Sequence, residues 1–570
     1  MKHLLLAAAS ATLVLGAALS GAAASAQDRT DASATPFTVN MTVDAGKSTG
    51  TLKPIWRFFG ADEPNYATMK DGRKLMAHLG ALKSGDVYFR AHNLLNTGDG
   101  TPAFKWGSTN AYTEDAHGNP VYDWTVDDRI IDTYLKNGVH PYLQIGFMPE
   151  AMSSAKAGTP YQHSWRPGFA YNLIEGAWNA PPKDYAKWEE LAYQWTKHNI
   201  ERYGRDEVAK WYFEVWNEAN GASYWTGTPD DFYKLHDYAV AGIRKALPEA
   251  RVGGMDAAGS GGTFMDGFLK HVVSGHNEAT GGTGTPTDFL SFHAKGQPKI
   301  IDGHVRMGIS TQLKTVDAGF SKIAAVPELK AKPIVIGEND PEGCAACPGA
   351  ANAYRNGTLY ASYTAATYPR IWALADKRGV NIDGALTWAF EFEDQPWFPG
   401  YRQLSSNGID LPVLNVFRMF AQMGPTELAA TSDSEMALDD ITANGVTGKP
   451  DVGILATRTA DKKLAVFVWH YHDDDLSGPV ADVKLRLSRL GKAKTVKVTQ
   501  WRVDRDNGNA FTAYQKMGSP QSPDAKQYAV MEAASAMQPQ VWATPVTVAN
   551  GAAELDFSLP RQGVSLLIIE

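Results

Sequence analysis

The chain has 570 residues, 44% of them hydrophobic and 20% charged, an ordinary globular composition with length for a large core and more than one domain. A formal net charge of -8 and the lack of any Lys/Arg block argue against a nucleic-acid partner. Sixteen Trp and 23 Tyr supply many flat aromatic faces, which either fill cores or line a cleft.

The N-terminus reads Met1-Lys2-His3, then an Ala/Leu/Val run over 4–19, then Ala24-Ser25-Ala26. This pattern predicts a secretory signal peptide over 1–26, cut after Ala26. No Cys follows the run, so no lipid anchor is expected, and no later stretch is long and apolar enough to span a bilayer. The mature chain is expected in the periplasm or outside the cell. Residues 27–45 read as a small, polar leader that ends in an alternating run over 37–43, able to pair with a C-terminal sheet.

From Trp56 onward strands and helices alternate. Strand-like runs fall at 56–62, 86–92, 139–146, 211–217, 251–255, 288–293, 333–338 and 382–389. Helical segments lie between them. Over 184–203 the residues Tyr185, Trp188, Leu191 and Trp195 share one face and Gly204 follows as a stop; 230–247 and 356–378 are further helices. Eight such units predict an α/β fold, a closed (β/α)8 barrel over 46–423, with its active residues at the C-terminal ends of the strands. After Met423 the character changes. Runs at 452–458, 464–470, 480–487, 496–502 and 563–569 predict a β-sandwich over 424–570, with helix only near 529–537.

Two of the barrel runs end in an acid. Trp211-Tyr-Phe-Glu-Val-Trp-Asn-Glu-Ala-Asn220 delivers Asn217 and Glu218 at the end of the fourth, and Lys332-Pro-Ile-Val-Ile-Gly-Glu338 delivers Glu338 at the end of the seventh, before Asn339-Asp340-Pro341 breaks it. One strand-end carboxylate is common, capping a helix or pairing with Arg. Two on one barrel fit glycoside hydrolysis, which needs two acids facing one bond. Cys344 and Cys347 are the only cysteines. A zinc site needs about four ligands and no second pair supplies them. In an oxidising compartment the pair reads as a local disulfide beside Glu338, a redox centre being the other reading.

Several pieces in order resemble glycoside hydrolase family 39 of clan A, which holds β-xylosidases and α-L-iduronidases. They are Tyr88-Phe-Arg-Ala-His92, Trp124-Thr-Val-Asp127, Gly138-Val-His-Pro-Tyr-Leu-Gln-Ile-Gly146, Trp216-Asn-Glu-Ala-Asn220, Ser291-Phe-His-Ala294, Ile336-Gly-Glu338 and Thr387-Trp388. The resemblance implies a retaining enzyme, with carboxyls about 5–5.5 Å apart. Glu218 would be the acid/base and Glu338 the nucleophile. Asn217 would bond a sugar hydroxyl beside the reacting carbon, and His92 and His293 would touch the sugar or the nucleophile. Arg90 would hold a catalytic carboxylate ionised, and Trp388 would floor the sugar subsite. Glu393 and Asp394 resemble a paired acid of the xylosidases, at shorter spacing.

Lys295 departs from the xylosidases and looks like the iduronidase branch, where a lysine helps bind the sugar carboxylate. If the sugar is xylose-like, Lys295 needs a protein partner, for which Glu393 or Asp394 would serve. The sequence thus predicts a secreted retaining exo-glycosidase without metal or organic cofactor. The leading substrate is a β-xyloside, with side activity on α-L-arabinosides; the alternative is an α-L-iduronidase-like uronidase. A carbohydrate-binding barrel that has lost its chemistry is the rival of another class, which the paired acids disfavour.

Overall fold

A computed structural model describes residues 34–82, 85–102, 109–161 and 176–570. The signal-peptide reading lies outside these residues. The chain is mixed α/β, and eight parallel strands form its centre: Phe58–Ala61, Val87–Ala91, Val139–Gln144, Tyr212–Glu214, Arg251–Gly253, Leu290–Lys295, Pro333–Asp340 and Asn381–Ala385. The first five make one sheet and the last three another. Both seams are stitched. Gly60 N donates to Thr387 O at 3.1 Å and Thr387 N to Phe58 O at 3.1 Å, while Gly254 N donates to Phe289 O at 3.1 Å and His293 N to Ala257 O at 2.9 Å. Every strand therefore has two neighbours.

Alternation along these strands sends one set of side chains inward. At their N-terminal ends the inward set is aromatic: the rings of Phe58 and Tyr88 lie 5.0 Å apart, those of Tyr142 and Tyr212 5.0 Å, and those of Tyr212 and Phe289 5.0 Å. One layer further toward the C-terminal ends the inward side chains become polar and charged, beginning with Arg90 and Glu214. Helices cover the outside. Helix Tyr185–Tyr203 is started by Asp184, whose carboxylate accepts from Ala186 N, and stopped by Gly204 at φ 85°; it buries Trp188, Leu191 and Trp195. Helix Pro229–Ala246 opens with a reciprocal Thr228–Asp231 cap. The runs read from sequence overshoot most strands by one to three residues. The seventh instead continues through Asn339 to Asp340, so those residues do not break it.

The C-terminal part is built on a nine-stranded sheet, with a small two-stranded pairing of Thr495–Val496 and Val546–Thr547 beside it. Strand Phe37–Thr51 sits inside the nine-stranded sheet, antiparallel to Thr426–Ser432 and parallel to Ala481–Ser488. Strand Leu464–Tyr471 is buried on both faces. Val466 and Val468 join a core within this sheet, while Phe467, Trp469 and Tyr471 join the core of the parallel strands. His470 Nδ1 meets Leu559 O at 3.0 Å although their strands are far apart in sheet order, so the sheet curls back over itself. Helix Ala525–Ser535 lies near the expected helix; Leu438–Asn444 and Ala510–Lys516 were not read from the sequence.

Candidate active site

The site grows from Arg90, which is fully buried. Its Nε donates to Glu214 Oε1 at 2.7 Å, and its Nη2 donates to Asn217 Oδ1 at 2.9 Å and to Asp256 Oδ2. Its Nη1 donates to His92 Nε2 at 3.1 Å and stands 3.5 Å from Glu338 Oε1. An arginine has no acceptor, so His92 Nε2 must carry its lone pair toward it. The His92 proton is then on Nδ1, which faces Asp62 Oδ1 at 3.0 Å. Burial and the Arg90 charge push His92 down to about 3, so it is neutral.

His293 has the opposite surroundings. Its Nδ1 lies 2.6 Å from Glu218 Oε1, its Nε2 lies 2.6 Å from Asp256 Oδ2, and Glu338 Oε1 is 3.9 Å from the same Nε2. Burial alone would lower its basicity, but the charges of Asp256, Glu338 and Glu218 outweigh that and raise it to about 10. Asp256 and Glu218 are also tied through the backbone, Glu218 N donating to Asp256 O at 2.9 Å. Both hold left-handed backbone, at φ 38° and 47°. Such strain in non-glycine residues survives only where the surroundings fix it, and it clusters at functional sites.

Glu338 projects from a bulge. The register with the sixth strand shifts between Ile336 and Glu338, leaving Gly337 over. A side chain at Gly337 would collide with the Asp256 carboxylate, so only glycine fits there. Lys295 Nζ donates to Glu338 Oε2 at 2.6 Å and to Asp340 Oδ2 at 2.7 Å. Burial would raise the Glu338 carboxyl, but Lys295, His293 and Arg90 overcome it and hold it well below the usual carboxylate range. Glu338 is therefore an anion in a ring of cations. Glu218 is the more open of the two acids, its side chain 22% exposed against 8% for Glu338. One ionised acid and one solvent-reachable acid flank a single imidazole, an arrangement suited to double displacement at an anomeric carbon.

Aromatic rings wall the site. Trp388 lies 4.3 Å from the His92 ring and its face receives the Arg90 guanidinium at 4.9 Å. Gly60 makes room for it, since a side chain there would strike the indole. Phe147 packs edge-on to His92 at 5.6 Å.

A family model described as Glycosyl hydrolases family 39 matches residues 39–553. The chain belongs to this family. It is a glycoside hydrolase of the retaining kind. Over 544 residues it is 26% identical to a β-xylosidase of Geobacillus stearothermophilus, covering 91% of this chain and 93% of the relative. Its fold is similar to that of a bacterial orthologue of human α-L-iduronidase, with a TM-score of 0.72, 19% identity and 93% and 84% of the two chains covered. It is also similar to a monomeric β-xylosidase from Caulobacter crescentus CB15, with a TM-score of 0.70, 21% identity and 93% and 99% covered.

In this family 39 chain the structure brings together Glu218, Glu338, Asn217, His92, His293, Lys295, Trp388 and Arg90. Two expectations need correction. Lys295 is matched by Glu338 and Asp340, and no hydrogen bond or ion pair among the described residues joins it to Glu393 or Asp394. Glu393 instead accepts the backbone N–H groups of Asp71 and Gly72 at 3.0 and 3.1 Å, at the start of helix Lys70–Gly80. That is the ordinary use of an acid against a helix N-terminus. Asp394 is exposed.

Sequence reasoning missed Asp256, Asp340 and Glu214. Asp256 directly follows the fifth strand run, so the rule that selected Glu218 also applies to it. Asp340 was read as a strand breaker. Cys344 and Cys347 are joined, with Cα atoms 5.5 Å apart, and buried Arg355 fixes the same loop by donating to Cys344 O at 2.9 Å and Cys347 O at 3.1 Å. Among the described residues no group of three or more His, Cys, Asp and Glu side chains is placed to hold a metal ion.

Proposed function

We propose that this chain is a secreted exo-acting β-xylosidase with side activity on α-L-arabinosides, built as a (β/α)8 barrel over 46–423 carrying a β-sandwich over 424–570. The stitched ring of eight parallel strands and the curled nine-stranded sheet support the architecture. The observation that carries the substrate reading is Lys295, whose ammonium already meets two protein carboxylates. The carboxylate of a uronic acid would bring a third anion to that point. A xylose ring, which has nothing beyond C5, asks for no such partner. Similarity to a β-xylosidase over most of the chain supports the same choice.

In this reading Glu338 attacks the anomeric carbon. The bond from that carbon to a Glu338 oxygen forms as the glycosidic bond breaks, and Glu218 supplies the proton to the departing oxygen. Glu218 then takes a proton from water as the water oxygen displaces Glu338, and configuration is retained. Asn217 Nδ2 is buried and has no hydrogen-bond partner, while Arg90 fixes the amide by its oxygen. That orientation presents an N–H to a sugar hydroxyl beside the reacting carbon. Neutral His92 and Trp388 form the wall of the sugar subsite. The segment 1–26 directs export.

The test is a paired assay of aryl β-xyloside and aryl α-L-iduronide on the wild type and Lys295→Met. The wild type is expected to prefer the xyloside clearly, and Lys295→Met to lose activity without changing that preference. A wild type that prefers the iduronide, with Lys295→Met raising KM chiefly for it, replaces this reading with an α-L-iduronidase-like one.

A further inference from the structure

We infer that Asp256 and His293 form a proton store for Glu218, so that the proton given to the leaving group resides on the His293 imidazolium between turnovers. The inference rests on the acid/base role proposed for Glu218 and deepens it. The geometry is a chain of three groups with the imidazole in the middle: Glu218 Oε1 lies 2.6 Å from His293 Nδ1, and Asp256 Oδ2 lies 2.6 Å from Nε2. With Glu218 and Asp256 both ionised, neither oxygen can donate, and the two contacts are then met by an imidazolium, the only form of histidine with two donors. Asp256 is fixed for the task. It is wholly buried, its Oδ2 is held by Arg90, and Ser291 Oγ lies 3.1 Å from its backbone N. Gly337 leaves the space its carboxylate fills.

The charged groups facing His293 are Asp256, Glu218 and Glu338, with Arg90 behind Asp256 and neutral His92 beyond Arg90. Their balance raises the imidazole to about 10. In the first half-reaction the bond from Nδ1 to its proton breaks as Glu218 passes a proton to the leaving oxygen. At the same moment Glu338 becomes a neutral ester and its negative charge, 3.9 Å away, is gone. The field that held the proton on His293 thus weakens at the step that needs the proton. In the second half-reaction the water proton returns through Glu218 to Nδ1 as Glu338 recovers its charge. Asp256 touches no substrate atom; it is a positioning residue acting through His293.

The same heavy-atom arrangement could hold a neutral imidazole with the proton on Glu218, and a measurement separates the two. In protein with ¹⁵N-labelled histidine, assigned against His293→Gln, the wild type is expected to show both ring nitrogens of His293 protonated at pH 8. Asp256→Asn keeps the shape and removes the charge. Its His293 should titrate at least one unit lower, and the basic limb of kcat/KM should move down with it. Its kcat should fall at least 10-fold with phenolic leaving groups of high pKa and little with dinitrophenyl, whereas a merely structural defect would slow both alike. If Asp256→Asn does not fold, the wild-type spectrum and His293→Gln, which keeps the Arg90–Asp256 pair, carry the test: His293→Gln should show the same leaving-group dependence. A neutral Nε2–H imidazole in the wild type at pH 7, or an unmoved basic limb in folded Asp256→Asn, overturns the inference. Failure of the acid/base reading itself would look different, since Glu218→Ala would then slow all leaving groups equally.

Discussion

Replacing Lys295 with methionine removes the cation that joins Glu338 to the sheet while keeping most of the side-chain volume. The three side chains concerned are 17%, 8% and 0% exposed for Lys295, Glu338 and Asp340. Breaking a buried ion pair by removing one partner typically costs about 3–5 kcal/mol, because the other charge stays uncompensated. Asp340 keeps Thr387 Oγ1 at 3.1 Å and Trp388 N at 3.0 Å, and Glu338 keeps Arg90 and His293, so the lower end, about 3 kcal/mol, is expected. In urea this should appear as a fall in the midpoint at unchanged slope. The kinetic effect has a defined sign. The folded-state Glu338 carboxyl lies well below its unfolded value, so it contributes stability above the unfolded value, lost as pH falls through the folded one. Removing Lys295 raises the folded value. The acid limb of kcat/KM should then move to higher pH by about one unit or more, each unit corresponding to about 1.4 kcal/mol. An acid limb that stays in place in Lys295→Met, together with a stability change under about 0.5 kcal/mol, would refute the account of Lys295 as the cation that keeps Glu338 ionised.

Glu338→Ala should abolish turnover with the fold intact; azide with an activated aryl glycoside should restore some rate and give the opposite anomer, and a 2-fluoro glycoside should label Glu338 in peptide mapping. Glu218→Ala should slow poor leaving groups roughly 10²–10⁴-fold more than dinitrophenyl glycosides, a gap that steady-state rates show directly. Gly337→Ala should lose most activity and lower the melting temperature, because its methyl group meets the Asp256 carboxylate; a normal variant would deny that close approach. Cys344→Ser should change the melting temperature less than Arg355→Met does, since the disulfide closes a short loop whereas Arg355 also bonds Glu342 and the Gly400 carbonyl at 3.1 and 3.0 Å.

Legibility followed periodicity. The eight parallel strands and the helices between them were readable because inward and outward faces differ in polarity, and the paired acids were readable because each ends an apolar run. The pairing of Phe37–Thr51 was readable for the same reason. Alternation tells which face of a strand is buried and not what covers it; Leu464–Tyr471 is buried on both faces, which no alternation could announce. Partners across the strand ring were not readable at all. Glu393 or Asp394 was offered as the protein partner of Lys295, when the parallel register puts Lys295 directly opposite Asp340. Asp340 escaped because an Asn-Asp-Pro run has the composition of a turn, yet the strand continues through it on backbone hydrogen bonds, Asn339 N to Leu386 O at 2.6 Å and Gly296 N to Asp340 O at 3.0 Å.

The charged layer above the aromatic floor explains why so much polarity is tolerated in a core. Arg90, His293 and Lys295 are interleaved with Glu214, Glu218, Asp256, Glu338 and Asp340, so that each of the three has at least two carboxyl groups within hydrogen-bond reach. Such a network gains little stability over a packed apolar core, and removing any one member leaves its neighbours uncompensated. Burial pushes the Glu214 carboxyl up even with Arg90 beside it. The cost is met elsewhere, by the aromatic floor below and by a sheet whose second face packs on the same core. What the network supplies is fixed charge at fixed positions. In the proposed mechanism Glu338 loses its negative charge to a covalent bond and regains it in each cycle, which requires that the surrounding cations do not move to follow it. Asn217, clamped by Arg90 at its oxygen, and His293, clamped at both nitrogens, meet that requirement through hydrogen bonds that are in place before any sugar enters.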